Sequence, residues 1–160
     1  MKKAQEWFDE YAVSHQDPTN KFIHWICVPI IFFSIAGLLV SIPCHWLQAY
    51  FSPAIAPYIN YGTIAMLFVS IFYFNISKPL FIAMLLFSAF VIWANVQLQL
   101  LNVMPLWLFS LLLFVGAWIG QFIGHHIEGA KPSFFKDLQF LLVGPAWLMG
   151  FVFKKLGWNY

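Results

Sequence analysis

The sequence predicts an all-α integral membrane protein, a bundle of about four membrane-spanning helices with one amphipathic helix before them and an interfacial or re-entrant segment after them. Of its 160 residues, 62% are hydrophobic and only 9% are charged, which is typical of a protein embedded in a lipid bilayer. Aromatic residues make up 21%, as in helices that end in interfacial belts. The length predicts a single domain over residues 1–160.

Residues 1–20 are predicted to form a polar arm that begins with an amphipathic helix on the membrane surface. Trp7, Tyr11 and His15 recur at i, i+4 and i+8, which places them on one stripe. The cluster 17–20, Asp-Pro-Thr-Asn, ends this helix, because proline restricts its predecessor and the polar side chains can cap a following helix.

Four apolar runs follow, and each is about as long as a bilayer core requires. The predicted spans cover residues 22–42, 55–74, 80–101 and 106–123. The tail, residues 133–160, carries a shorter apolar piece that Gly144 and Pro145 interrupt, so we expect an interfacial or re-entrant segment there.

The lysines predict the orientation of the chain in the membrane. With four spans, all eight fall on one side, which the positive-inside rule makes cytoplasmic. The expected location is therefore a bacterial inner membrane, or the endoplasmic reticulum membrane in a eukaryote. The residues are Lys2, Lys3, Lys21, Lys78, Lys131, Lys136, Lys154 and Lys155.

Composition excludes some functions. The chain has no arginine and therefore no bidentate phosphate clamp, so we expect no nucleic-acid partner. Cys27 and Cys44 lack the spacing of a metal site or a disulfide scaffold and are interpreted as packing residues.

The predicted topology collects most histidines at the cytoplasmic ends of the helices. His15, His24, His125 and His126 lie there together with Glu128, whereas His45 lies on the other side. Imidazole and carboxylate suit iron, zinc, nickel or manganese, and the lack of thiolates argues against copper(I) or an iron–sulfur cluster. A metal site is therefore the leading hypothesis, with a proline break at residue 18 that lets the first two histidines meet.

Helical phase ranks the candidates in the fourth span. Gln121, His125 and Glu128 lie on one stripe, and His126 lies about 100° around the helix. His126 could instead be an interfacial anchor, and Glu128 could pair with Lys131 on the surface.

A neighbouring stripe of Gly116, Gly120 and Gly124 predicts close approach of another helix. The first span, with His24 near its start, is the expected partner. Asn20, just before it, could be a cap or a polar neighbour of the site.

Two polar motifs stand out in the chain. They are Tyr11-x3-His15-x4-Asn20-Lys21-x2-His24, with a proline at 29, and Gln121-Phe-Ile-Gly124-His125, followed by Glu128 and Lys131-Pro132. These motifs resemble those of the Mpo1-like membrane proteins, and the resemblance covers nearly the whole chain. The resemblance implies an Fe(II)-dependent dioxygenase that uses O2 to shorten a membrane-associated 2-hydroxy fatty acid by one carbon. It gives metal and catalytic roles to His15, His24 and His125, with His126 and Glu128 as further candidate ligands.

A substrate of that kind needs a partner for its carboxylate and an apolar place for its tail. Lys21 or Lys131 could meet the carboxylate, with Asn20 and Gln121 as further polar contacts. The acyl chain would stay among Phe and Leu side chains.

Two rival functions remain open. A zinc-dependent membrane lipid hydrolase would use the same donors, since zinc also accepts three nitrogen or oxygen ligands with one open position. A small transporter or assembly protein would place ionisable residues at mid-membrane, and the interiors of the second and third spans offer only polar amides. These amides are Asn60, Asn95, Gln97 and Gln99.

Overall fold

The computed structural model describes residues 4–13, 15–129 and 134–159, with the side chains of all of them except 134–139. All regular secondary structure in these residues is helical, which confirms the predicted class. The described residues form seven α-helices and one short 3-10 helix, Ala56–Tyr58. The α-helices are α1 (Ala4–Ala12), α2 (Pro18–Val40), α3 (His45–Gln48), α4 (Tyr61–Ile76), α5 (Lys78–Leu101), α6 (Leu106–Glu128) and α7 (Phe134–Lys155).

Three helices, α2, α5 and α6, are long and apolar enough to cross a membrane. Together with the shorter apolar helix α4, they correspond to the four predicted spans. The helix of the second predicted span begins later than residue 55. α4 begins only at Tyr61, because the Asn60 side chain caps it by accepting a hydrogen bond from the backbone N–H of Thr63. The helix of the fourth predicted span, α6, continues five residues beyond residue 123, to Glu128. The number of crossings stays a prediction.

The predicted break between the arm and the first span is confirmed. Pro18 occupies the first position of α2, where its missing N–H removes no helical hydrogen bond. The Asp17 carboxylate caps the helix by accepting from the backbone N–H groups of Thr19 and Asn20, and these bonds lower the pKa of Asp17. The chain therefore changes direction between His15 and α2.

α2 and α6 form the most extensive helix pair in the described part of the chain. Gly120 lies against Cys27 of α2, and a Cβ added there would be 2.7 Å from the Cys27 Sγ. A Cβ at Gly124 would collide with the side-chain oxygen of Asn20, whereas one at Gly116 would meet no atom within 4 Å. The close approach predicted from the glycine stripe is thus confirmed for two of its three members.

The C-terminal segment forms one continuous helix, α7, which passes through Gly144 and Pro145 without ending. It packs against α1, α2 and α5, and its buried face includes Val143, Ala146 and Trp147. The expected interruption is therefore absent from the backbone, since tertiary packing supports the helix where its own sequence weakens it. How α7 lies relative to a membrane stays a prediction.

The amphipathic helix α1 uses its apolar stripe for contacts with the protein. Ala4, Phe8 and Tyr11 are buried in the same core cluster as Trp147 of α7. At the far end of α7, Lys154 lines a cavity that Lys21 of α2 also lines. The end of α7 thus returns to the end of the bundle where α2 begins, as the lysine pattern predicts.

We expect alanine at Gly120 or Gly124 to lower the melting temperature of the detergent-solubilised protein. Each added methyl group would overlap a side chain of α2, Cys27 or Asn20, which must then shift, at a cost of about 1–3 kcal/mol. The matched control is Gly116→Ala, which adds the same atom in open space and should leave the melting temperature unchanged or slightly higher. Equal effects of all three substitutions would contradict the assigned helix contact.

Candidate metal centre

Three histidines from separate parts of the chain meet at one end of the bundle. His15 follows α1, His24 lies in the second turn of α2, and His125 lies in the last turn of α6. One candidate ligand atom from each lies within 4.8 Å of the other two. All three side chains are buried, with exposed fractions of 2%, 1% and 4%. The structure thus brings together His15, His24 and His125, three of the candidate ligands from the sequence.

Hydrogen bonds fix the orientation of two of these rings. The Nδ1 of His15 donates to the carbonyl oxygen of Tyr11 at 2.7 Å, and the Nδ1 of His24 donates to that of Asn20 at 2.9 Å. Because a carbonyl can only accept, each neutral ring carries its proton on Nδ1 and keeps the lone pair on Nε2. This is the arrangement that metal-binding histidines use.

The ring of His125, the third histidine, gives separate evidence for a bound cation. The Nδ1 of His125 is buried and has no hydrogen-bond partner among the residues that the structure describes. A buried polar nitrogen without a partner costs free energy, and coordination of a cation would remove that cost.

The surroundings of His15 favour its neutral form. Burial, together with a smaller effect of the nearby His125, lowers the pKa of His15 to about 4, although the bond to the Tyr11 carbonyl opposes this shift. His15 is therefore unprotonated at neutral pH, as a metal ligand must be. Three imidazole nitrogen donors without a thiolate fit a divalent transition metal such as Fe(II) or Zn(II).

Aromatic side chains enclose His15. The Tyr11 ring stacks on it, with centroids 4.0 Å apart and an interplanar angle of 11°. Trp147 of α7 lies 5.0 Å from the Tyr11 ring and 5.7 Å from the His15 ring. The sequence does not point to Trp147 as part of the site, because no local pattern shows where α7 packs.

Two cavities adjoin the histidines. A small one of about 30 Å³ is lined by all three of them and by Gln121, and it has room for roughly one water-sized ligand. A larger one of about 190 Å³ lies along His15 and is lined by Lys21 and Gln16 among others. The predicted candidates Gln121 and Lys21 therefore border the site from different sides.

Glu128 connects the N-terminal arm to the end of α6. One carboxylate oxygen accepts a hydrogen bond from the backbone N–H of Gln16 at 2.5 Å, and the other accepts from the side-chain amide of Asn20. Glu128 is outside the group of three histidines, and these contacts place it as a support for the segment that carries His15.

One further candidate ligand, His126, does not join the cluster. His126 is exposed and is not one of the three grouped histidines, as its helical phase suggested. Lys131 lies outside the described residues, so its proposed role stays a prediction.

We expect Glu128→Ala to weaken metal binding by about 10- to 100-fold without removing a ligand. The loss of both hydrogen bonds would free the arm that carries His15. Glu128→Gln keeps one acceptor and should give an intermediate affinity, measured by competition with a metal chelator. Unchanged affinity in both variants would contradict the supporting role, and complete loss of the metal in both would favour direct coordination.

Comparison with known proteins places these residues in a family. The family described as 2-hydroxy-palmitic acid dioxygenase Mpo1-like matches residues 1–156, which include all three histidines and Glu128. No curated protein and no solved structure matches the chain. Since the match extends over nearly the whole sequence, the chain belongs to the Mpo1-like family.

Proposed function

We propose that this protein is an Fe(II)-dependent membrane dioxygenase that converts a 2-hydroxy fatty acid into the fatty acid one carbon shorter. The observation that carries the proposal is the group of three buried imidazoles with ligand atoms within 4.8 Å of one another. The family description supports the reaction class and the fatty-acid substrate. The proposed metal ligands and catalytic residues are His15, His24 and His125.

The proposed reaction balances without an external reductant. A 2-hydroxy acid and O2 give the shortened acid, CO2 and water, so the substrate supplies all the electrons that oxygen accepts. An Fe(II) ion, when bound, would supply open positions for the hydroxyl and carboxylate of the substrate and for oxygen. The protein must hold the ion, orient the head group and keep other reductants away.

The residues around the histidines support each of these tasks. The Tyr11 and Asn20 carbonyls hold the rings of His15 and His24 in the tautomer that presents Nε2. The Tyr11 ring stacks on the His15 ring and Trp147 packs beside it, so these two side chains keep water from that part of His15. The small cavity beside Gln121 can admit a molecule as small as O2, but it has no room for an acyl chain.

The site lies where an amphiphilic substrate would arrive. It is at the end of the bundle where α2 begins and α6 ends, so a head group can enter from the aqueous side while its tail stays among apolar side chains. We propose that this end faces the cytoplasm. With four spans, all eight lysines fall on the same side of the membrane as this end, and the positive-inside rule makes that side cytoplasmic.

Zinc is the main competing metal, since three nitrogen donors with an open position also fit a zinc hydrolase. Metal analysis after anaerobic purification separates the two functions. We expect iron at stoichiometric occupancy and oxygen uptake that depends on 2-hydroxypalmitate. Zinc at full occupancy without iron-dependent oxygen uptake would contradict the proposal.

Replacing His125 with Ala should lower iron affinity by more than about 100-fold, because it removes a ligand from a site that has only three. Oxygen uptake should fall to background. Titration of the anaerobic protein with Fe(II) gives the affinity directly, and the melting temperature shows whether the variant is still folded.

Two control variants complete this experiment. His45→Ala changes an exposed histidine in α3, remote in sequence from the site, and His126→Ala changes the exposed neighbour of His125. Both should bind iron as the unmodified protein does. Undiminished iron binding by the His125 variant would count against the three-histidine site, and loss in the His126 variant would reassign the ligand.

A further inference from the structure

Two cavities, each bordering one ring of the same aromatic contact, suggest where the substrate lies. The larger polar cavity, about 190 Å³, includes Lys21 and Lys154 in its lining. An apolar cavity of about 150 Å³ lies between α2, α5 and α7 and is lined by Trp25, Pro29 and Leu148 among others. The rings of Trp25 and Phe151, 6.0 Å apart, lie where the two cavities approach each other, since Phe151 lines the first and Trp25 the second.

The α2 side of this path is a single helical stripe. Lys21, Trp25 and Pro29 recur at i, i+4 and i+8, so they lie one above another on the same face. Lys21 borders the polar cavity, and the other two border the apolar one. The stripe descends about 12 Å along the helix axis from a cation to an apolar surface.

The α7 side is arranged in the same way but runs in the opposite direction along the chain. Lys154 and Phe151 border the polar cavity, while Leu148 and Pro145 border the apolar one. These residues are three apart in sequence and therefore share one side of the helix. Both helices thus place a lysine at the outer end and apolar side chains further in.

The charge at the outer end favours an anionic head group. Besides the two lysines, the lining of the polar cavity includes Asp9, whose carboxylate already accepts a hydrogen bond from Gln5 at 2.6 Å. Two cations against one carboxylate leave an excess positive charge beside His15, which also lines this cavity.

The geometry points to a fatty-acid furrow between α2 and α7: Lys21 and Lys154 bind the carboxylate end, and the acyl tail passes Trp25 and Phe151 into the apolar cavity. This inference rests on the proposed function for the identity of the head group, and it adds Lys154 and the path of the tail. The lysines are binding residues that hold the reacting end of the substrate next to His15.

Binding of palmitate tests the furrow without any turnover, since palmitate lacks the 2-hydroxyl group. We expect Lys21→Gln and Lys154→Gln each to weaken palmitate binding by about fivefold in lipid nanodiscs. Lys154→Arg should keep the palmitate affinity of the unmodified protein, because arginine also pairs with carboxylates. The matched control is Lys155→Gln, since Lys155 does not line the cavity, and the uncharged hexadecanol should bind all variants equally.

The tail path has its own pair of variants. Val152→Trp fills the apolar cavity and should weaken palmitate by more than about fivefold while leaving octanoate nearly unchanged. Val115→Trp adds the same bulk on α6, at a residue that lines neither cavity, and should have no effect.

The outcomes separate the furrow from the reaction. Unchanged palmitate affinity in both lysine variants, or an equal loss in the Lys155 variant, would overturn the furrow even if iron-dependent oxygen uptake were found. Lysine-dependent palmitate binding without any oxygen uptake would support the furrow and overturn the proposed dioxygenase reaction alone.

Discussion

The burial of three imidazoles at one point is the constraint on which the rest of the structure depends. Each ring loses its contact with water, and that loss must be offset by a hydrogen bond or a ligand. The main chain supplies one partner each for His15 and His24, while the buried Nδ1 of His125 has none in the described part of the chain. A cation shared by the three rings would give that His125 nitrogen a partner, and we regard this as the reason for the cluster.

The surrounding fold serves to bring these rings together. Gly120 and Gly124 let α2 approach α6 closely enough for His24 and His125 to meet. The break before Pro18 turns the arm back toward the bundle, and Glu128 holds that arm by two hydrogen bonds. Close helix packing and one polar connection together define the position of all three histidines.

Much of this arrangement could be predicted from the sequence because the signals are local. Helical phase separated His125 from His126, and a cap-and-proline cluster marked the start of α2. Other features depend on contacts that sequence spacing does not reveal. Glu128 meets Gln16, 112 residues away, so its supporting role was not anticipated. The packing of α7, which brings Trp147 to the site, depends on the same kind of distant contact.

The most direct test of the account is X-ray absorption spectroscopy at the iron edge of the anaerobically loaded protein. We expect a shell of nitrogen and oxygen neighbours with the multiple scattering of three imidazole rings, and two rings in the His125→Ala variant. A spectrum without imidazole scattering, or one that the His125 substitution leaves unchanged, would contradict the claim that the three buried histidines hold the metal.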